Sequence, residues 1–215
     1  MTSSSNSVRA AYDIASEAYA RKFTTELDYK PLDREWLKEF ANTVDAKRPV
    51  LDIGCGPGHA TAHLTSLGLM AAGIDLSPKM VELAARTFPQ ARFEVGDFFS
   101  LHHETSSIGG VLAFYCIVHL KLEQLAAVFA EMHRVLTSGG LLLLSFHVGT
   151  EVIRAERFLD TSAVLDFSFF DPAQVEAALR TVGFEPINVR IRPPYDTEHP
   201  SHRCYIFAHK PKGMA

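Results

Sequence analysis

A strand that runs into closely spaced glycines and then a helix constrains this chain more than any other stretch. Residues 50–53 read Val-Leu-Asp-Ile, an apolar strand, and break into Gly54-Cys55-Gly56-Pro57-Gly58 before a helical pattern starts. Glycine is required at such a turn because a side chain would block the approach of a ligand to the backbone and because the turn needs dihedrals other residues avoid. The helix that follows presents unpaired N–H groups and a positive dipole end to the same place. A second strand, Leu69 to Ile74, ends on Asp75, an acid at the carboxyl edge where open α/β sheets bind ligands. An acid so placed can accept both hydroxyls of a ribose.

The spacing of the glycines selects the nucleoside. A dinucleotide fingerprint is Gly-x-Gly-x-x-Gly, its third glycine letting the helix pack on the strand. Here the third glycine, Gly58, comes one residue early and His59 takes the expected place. Gly-x-Gly-x-Gly preceded by Leu51-Asp52 resembles motif I of the class I S-adenosylmethionine-dependent methyltransferases of small-molecule type. That resemblance implies an α/β fold: a doubly wound, seven-stranded, mostly parallel sheet with the last strand antiparallel, in a three-layer αβα sandwich with an N-terminal helical cap. It implies S-adenosylmethionine as cofactor, S-adenosylhomocysteine as product and a small-molecule acceptor with an O, N, S or C nucleophile. Two other readings remain: a binder of the same cofactor without turnover, acting as sensor or partner subunit, and a nicotinamide-dependent oxidoreductase, against which the glycine spacing speaks.

Size and composition agree with a single domain over residues 1–215. The net charge of −4 and the lack of a long Lys/Arg cluster argue against a protein that grips nucleic acid by bulk electrostatics. No apolar run approaches bilayer length, and Cys55, Cys116 and Cys204 form an odd set without metal spacing. These features point to reduced thiols in a cytoplasm, with no metal and no membrane, and leave the oligomeric state open. Residues 1–7 are polar and Ser-rich and read as a disordered tail.

Residues 8–46 read as two helices forming the cap. The first carries Tyr12, Ala15, Ala18, Tyr19 and Phe23 at spacings of three and four. The resemblance makes Tyr19 and Lys30 candidates for walling off the substrate, whereas Tyr12 reads as a packing residue. The second, Leu32 to Val44, has a core stripe of Trp36, Leu37 and Phe40. Ser77-Pro78 opens a later helix in which Met80 could border an adenine ring, beside Leu76. Gly96-Asp97-Phe98 ends a third strand, and the resemblance assigns Asp97 and Phe98 to the adenine; the competing reading is that Asp97 caps a turn. The assigned cofactor residues are therefore Asp52, Gly54, Cys55, Gly56, Gly58, Asp75, Leu76, Met80, Asp97, Phe98 and Phe114.

The fourth strand, Ile108 to Tyr115, ends in Phe114-Tyr115-Cys116-Ile117-Val118-His119. Tyr115 and His119 fall where substrate would meet cofactor and are the catalytic candidates. His119 would be the general base, since an imidazole titrating near ~6.5 can take a proton at neutral pH. It could equally just begin the following helix. Tyr115 also counts as a substrate-binding candidate, and His147, past the fifth strand, is a second and weaker base. Residues 148–170 break the α/β alternation and read as a substrate-recognition insert, although a packed edge strand explains their phenylalanines as well. His199, His202 and Arg203 read as solvated residues near the rim.

Overall fold

The computed structural model describes residues 3–213. Its centre is β1 (Val50–Ile53), buried at all four positions. β1 lies between β2 (Ala71–Asp75) and β4 (Ile108–Phe114), parallel to both. A strand covered on both faces must be apolar throughout. β3 (Arg92–Val95) pairs with β2, and β5 (Leu136–His147) pairs with β4. β9 (Arg203–His209) runs antiparallel between β5 and β8 (Glu185–Arg192), giving the order β3-β2-β1-β4-β5-β9-β8. The seven-stranded, mostly parallel sheet with an antiparallel last strand is the fold expected from the sequence.

The strands alternate with period two between two cores. Leu51, Val111, Ala113, Leu142 and Leu144 face α5 (Leu125–Val135) and α6 (Pro172–Thr181), which contribute Phe129, Met132 and Leu179. Val50, Leu112, Leu141 and Leu143 face α2 (Pro31–Thr43) and α3 (His59–Ser66), through Trp36, Phe40 and Leu64. Each fully buried Leu or Phe contributes ~1.5–3 kcal/mol. This double cover fixes the register of the sheet and therefore the positions of the loops at its carboxyl edge. α4 (Pro78–Thr87) is started by Ser77, whose side chain accepts the Met80 N–H, and α6 by Asp171, which accepts the Ala173 N–H.

Three segments depart from expectation. The expected tail at residues 1–7 is helical from its third residue: α1 spans Ser3–Phe23, and Ser5 is buried. Serine is a poor helix former, but docking against the rest of the domain outweighs propensity; Met1 and Thr2 lie outside the described residues. α2 does not cap the sheet: its Trp36–Phe40 stripe makes it part of the inner layer, so the cap is α1 with the short turn Glu26–Asp28. β5 begins at Leu136 and not at Leu141, where the apolar run after Gly139-Gly140 predicts its start, because Leu136 pairs with Ile108 before an irregularity resets the register at Gly110 and Leu141.

Residues 148–170 contain a separate two-stranded sheet, β6 (Val152–Ala155) against β7 (Leu165–Ser168). Ala163 and Leu165 of this segment pack on Ala11 and Ala15 of α1. Phe158 and Phe167 therefore belong to a small second layer, whereas Phe170 packs into the main core beside Phe146. Among the described residues no helix is long and apolar enough to cross a membrane.

Candidate cofactor and acceptor sites

The order of the strands reverses between β1 and β4, and the crevice at such a switch point is where open α/β sheets bind ligands. A cavity of about 870 Å³, open to solvent, lies there, lined by the carboxyl ends of β1, β2 and β4, the loop after β3, and α1. Gly54, Gly56, Asp75, Leu76, Asp97, Phe98, Phe114, Tyr115, Tyr19 and His119 all line it. At Gly54 (φ 69) an added Cβ would stand 2.4 Å from that of Cys116, so only glycine lets the turn pass over β4.

Asp75 is fixed by the same turn. Its Oδ2 accepts the Gly56 N–H at 2.8 Å and its Oδ1 the Ser77 N–H at 2.8 Å. Burial raises its pKa above the usual carboxylate value, and the two backbone donors oppose that shift. Each oxygen retains lone-pair capacity for a second donor. Asp97 caps a turn by accepting the Phe99 N–H at 3.0 Å and also lines the cavity, so both readings of this residue hold geometrically.

α1 closes the crevice through specific bonds. Asp13 Oδ1 accepts the Ser77 hydroxyl at 2.6 Å and the Lys79 N–H at 3.2 Å, at the start of α4. On the preceding residue, the Tyr12 hydroxyl is 2.7 Å from His119 Nε2. His119 Nδ1 is 2.8 Å from the Asp166 carbonyl on β7, which can only accept. Nδ1 therefore carries the proton, Nε2 is bare, and Tyr12 O–H donates to it. Burial holds the imidazole neutral, with its pKa lowered to about 4 against the opposing pull of the Asp166 carbonyl.

A second cavity of about 1080 Å³ adjoins the first, and Tyr12, Tyr19 and Tyr115 line both. Lys30, His147, Glu198, His199 and Arg203 line only the second, with Phe158 and Phe167 from the insert. Tyr115 sits at the junction in a left-handed conformation (φ 53), which costs ~1–2 kcal/mol for a side chain of its kind. Its N–H bonds to Ser145 and its hydroxyl lies 2.9 Å from that of Tyr205, which donates to Asp33 at 3.0 Å. The hydroxyl of Tyr115 is therefore committed to the buried network, and its ring forms the wall. Burial and the neighbouring Arg203 and His199 lower the pKa of His147 to about 3.

Residues 50–140 match a family model described as a methyltransferase domain. These residues, somewhat under half of the chain, are similar to a methyltransferase domain. An uncharacterised methyltransferase of Synechocystis is 33% identical over 95 residues, 44% of this chain and 45% of that protein. A demethylmenaquinone methyltransferase of Chlorobaculum parvum is 29% identical over 146 residues, 65% of this chain and 59% of that protein. The chain thus spans about half the length of these curated relatives. Among solved structures, magnesium protoporphyrin IX methyltransferase of Synechocystis, with bound S-adenosylmethionine, superposes with a TM-score of 0.73 at 16% identity, covering 98% of both chains.

Four of the expected cofactor residues stand away from the cavity lining. Asp52 points from β1 toward α3, where its carboxyl accepts the Thr61 hydroxyl at 2.6 Å; Leu51 and Ile53 face the opposite core, so strand alternation could have signalled it. Cys55 is buried against Gly73, and Met80 is wholly buried. Gly58 (φ 84) brings α3 close to β3, its missing Cβ lying 2.6 Å from the Phe93 ring. Tyr12 is the residue the sequence reading missed. It lies seven positions before Tyr19, two turns along one helix face, and that spacing was available in the sequence. Glu198 and Arg203 were also missed or set aside, and nothing local signals them.

Proposed function

We propose that this protein transfers a methyl group from S-adenosylmethionine to a small-molecule acceptor held in the second cavity. The observation that supports it most is the junction at Tyr12, Tyr19 and Tyr115, where a nucleoside-shaped crevice meets a separate aromatic chamber. The crevice suits the cofactor on its own chemistry. Asp75 offers acceptors for a ribose diol, Asp97 and Phe98 suit an adenine, and the backbone of Gly56 leaves room that a side chain would fill. When bound, the cofactor supplies an electrophilic methyl group on a sulfonium.

The chain's own residues supply position and proton removal. α1 walls both cavities, and Phe158 and Phe167 of the insert wall the second, which limits the water around a bound acceptor and strengthens its polar contacts. Holding the acceptor atom in line accounts for much of the rate such sites achieve. An acceptor O–H or N–H bonded to the Tyr12 oxygen can pass its proton there while Tyr12 passes its own to His119 Nε2. A base of pKa about 4 suffices, because the proton becomes strongly acidic as the acceptor atom commits its lone pair. His119 then carries a proton on each nitrogen, with Nδ1–H still donated to Asp166. On this reading His119 acts through Tyr12, while Tyr115 and His147 shape the acceptor chamber.

The three cysteines are free and buried, which supports a reducing cytoplasm; the balanced charge supports small molecules over nucleic acid. Thermal unfolding tests the cofactor reading. S-adenosylhomocysteine at about a hundred times its dissociation constant adds ~2.7 kcal/mol, roughly 5–10 °C for a chain of this size, and NAD adds nothing. A shift with NAD alone would sink the proposal. Methyl-labelled donor should then pass its label to a low-molecular-weight fraction and not to protein or RNA.

A further inference from the structure

The second cavity is built around an arginine that is only partly satisfied. Arg203 is 3% exposed and lies on β9 at its pairing with His147. Its Nη1 donates to the His199 carbonyl at 2.8 Å, to the Ser201 carbonyl, and to the Ser201 hydroxyl at 3.0 Å. Its buried Nε has no hydrogen-bond partner, the nearest anion being Glu198 at 3.8 Å. Glu198 is already engaged: Arg192 grips both its oxygens at 2.6 and 2.9 Å, Lys30 approaches to 3.1 Å, and the Tyr195 N–H donates at 2.9 Å.

The charges lining the cavity do not cancel. Lys22, Lys30 and Arg203 face Glu26 and Glu198, three cations to two carboxylates; Asp33 and Arg192 pair with each other behind them. The Ser201 hydroxyl is shared by Arg203, by His147 at 3.0 Å and by His199 at 3.3 Å, so two imidazoles stand beside the same guanidinium. Burial, with this positive field added, keeps His147 uncharged, and an incoming anion would oppose the field. Much of the remaining wall is aromatic, with Tyr19, Tyr115, Phe158 and Phe167 among its residues.

We propose that the acceptor is an aromatic acid, its carboxylate or equally acidic group taken by the guanidinium of Arg203 with His147 beside it and its ring held between the tyrosines and phenylalanines. This deepens the methyl-transfer reading and rests on it for the role of the bound molecule. An unpaired buried guanidinium donor is costly until an anion fills it, and a charge-assisted bond to carboxylate is about twice as strong as a neutral one. The neutral amide of the same acid should therefore bind at least tenfold more weakly.

Calorimetric titration of the protein saturated with S-adenosylhomocysteine tests this, using benzoate, salicylate and cinnamate, each against its amide. We expect at least one acid to bind at least tenfold tighter than its amide. Arg203→Gln should abolish the preference, Arg203→Lys should keep part of it, and both should bind S-adenosylhomocysteine as wild type does. Should Arg203→Gln fail to fold, Lys22→Met at the exposed rim removes the excess charge and should lower acid affinity several-fold while sparing the amide. Equal binding of every acid and amide, no acid binding at all, or a preference that survives both Arg203→Gln and Lys22→Met overturns the proposal. An acid preference in a protein that does not bind S-adenosylhomocysteine would keep the anion site and remove the methyl-transfer reading.

Discussion

Replacing Asp75 by Asn tests the contact on which the proposed cofactor binding depends. The carboxylate accepts one backbone N–H on each oxygen, Gly56 on Oδ2 and Ser77 on Oδ1, both at 2.8 Å. An amide has a single oxygen, so whichever way it turns, one backbone donor faces an NH2 group. That leaves a buried donor unsatisfied at ~1–3 kcal/mol, or roughly 2–12 °C in Tm for a chain of this length. Binding suffers separately. Two charge-assisted bonds to ribose hydroxyls become one neutral bond and one mismatched pair, a loss of ~2–4 kcal/mol, on the order of a hundredfold in Kd. Isothermal titration with S-adenosylhomocysteine reads that loss, and circular dichroism confirms the fold. Asp52→Asn is the control: its carboxyl bonds to Thr61 outside the cavity, so Kd should stay within about twofold. The deoxyribose analogue should discriminate further, losing affinity for wild type but little more for Asp75→Asn. Affinity of folded Asp75→Asn within about threefold of wild type would refute the assignment, and an equal loss in Asp52→Asn would show that the turn, and not the ribose contact, sets the affinity.

Other substitutions probe the relay, the helix packing and the acid response. Tyr12→Phe should cost only ~1 kcal/mol of stability but lower kcat by ~10²-fold or more with KM little changed, and His119→Phe should match it, without the two effects adding; an unimpaired Tyr12→Phe enzyme excludes the relay. Gly58→Ala should destabilise by ~2–4 kcal/mol, since the new Cβ meets the Phe93 ring in a left-handed conformation, while the fraction that folds keeps its cofactor affinity; denaturant titration separates the two. His119 and His147 have folded pKa values of about 4 and about 3, below the unfolded value of 6.5. The unfolded chain therefore binds more protons in that window, and stability falls as pH drops from about 6.5 toward those values. The full linkage at pH 5 is ~2 kcal/mol per histidine; both rings keep some surface at the cavities, so ~2 kcal/mol in total is expected. Urea midpoints should decline below about pH 6.5 in wild type, and flatly less so in His119→Phe/His147→Phe. A decline that starts only in the carboxylate range contradicts the histidine contribution.

What the sequence made legible is what lies close along it. The strand, glycine turn and helix of residues 50–66 involve neighbours only, and glycine, Ser77-Pro78 and Asp171-Pro172 each act through local backbone geometry. Asp75 and Asp97 could be placed because a strand's end is a local feature and parallel order puts such ends on one edge. The relay and the anion site are different in kind. Tyr12 and His119 are 107 positions apart, and Asp33 and Tyr205 are 172 apart; no spacing rule joins them. Arg203 looked solvated because it follows a polar loop, yet β9 is inserted between two strands, and that insertion buries it. The start of α1 was hidden for the opposite reason: Ser-rich sequence argues against helix until the surface it docks on is known.

One helix therefore links the two halves of the proposed reaction. Asp13 ties α1 to the start of α4 beside Asp75, Tyr12 ties it to His119, and Ala11 and Ala15 tie it to the insert. These attachments come from the cofactor crevice, the junction and the acceptor chamber in turn. Tyr12 and Tyr19 cannot shift for one cavity without shifting for the other, since both side chains stand on the same face of the same helix. A ligand that orders α1 over the crevice spares the second ligand part of the cost of ordering it, so the two should bind with positive coupling. The coupling is carried by the Asp13 and Tyr12 bonds and not by any contact between the ligands. Asp13→Ala should therefore reduce it even though Asp13 itself lines neither cavity.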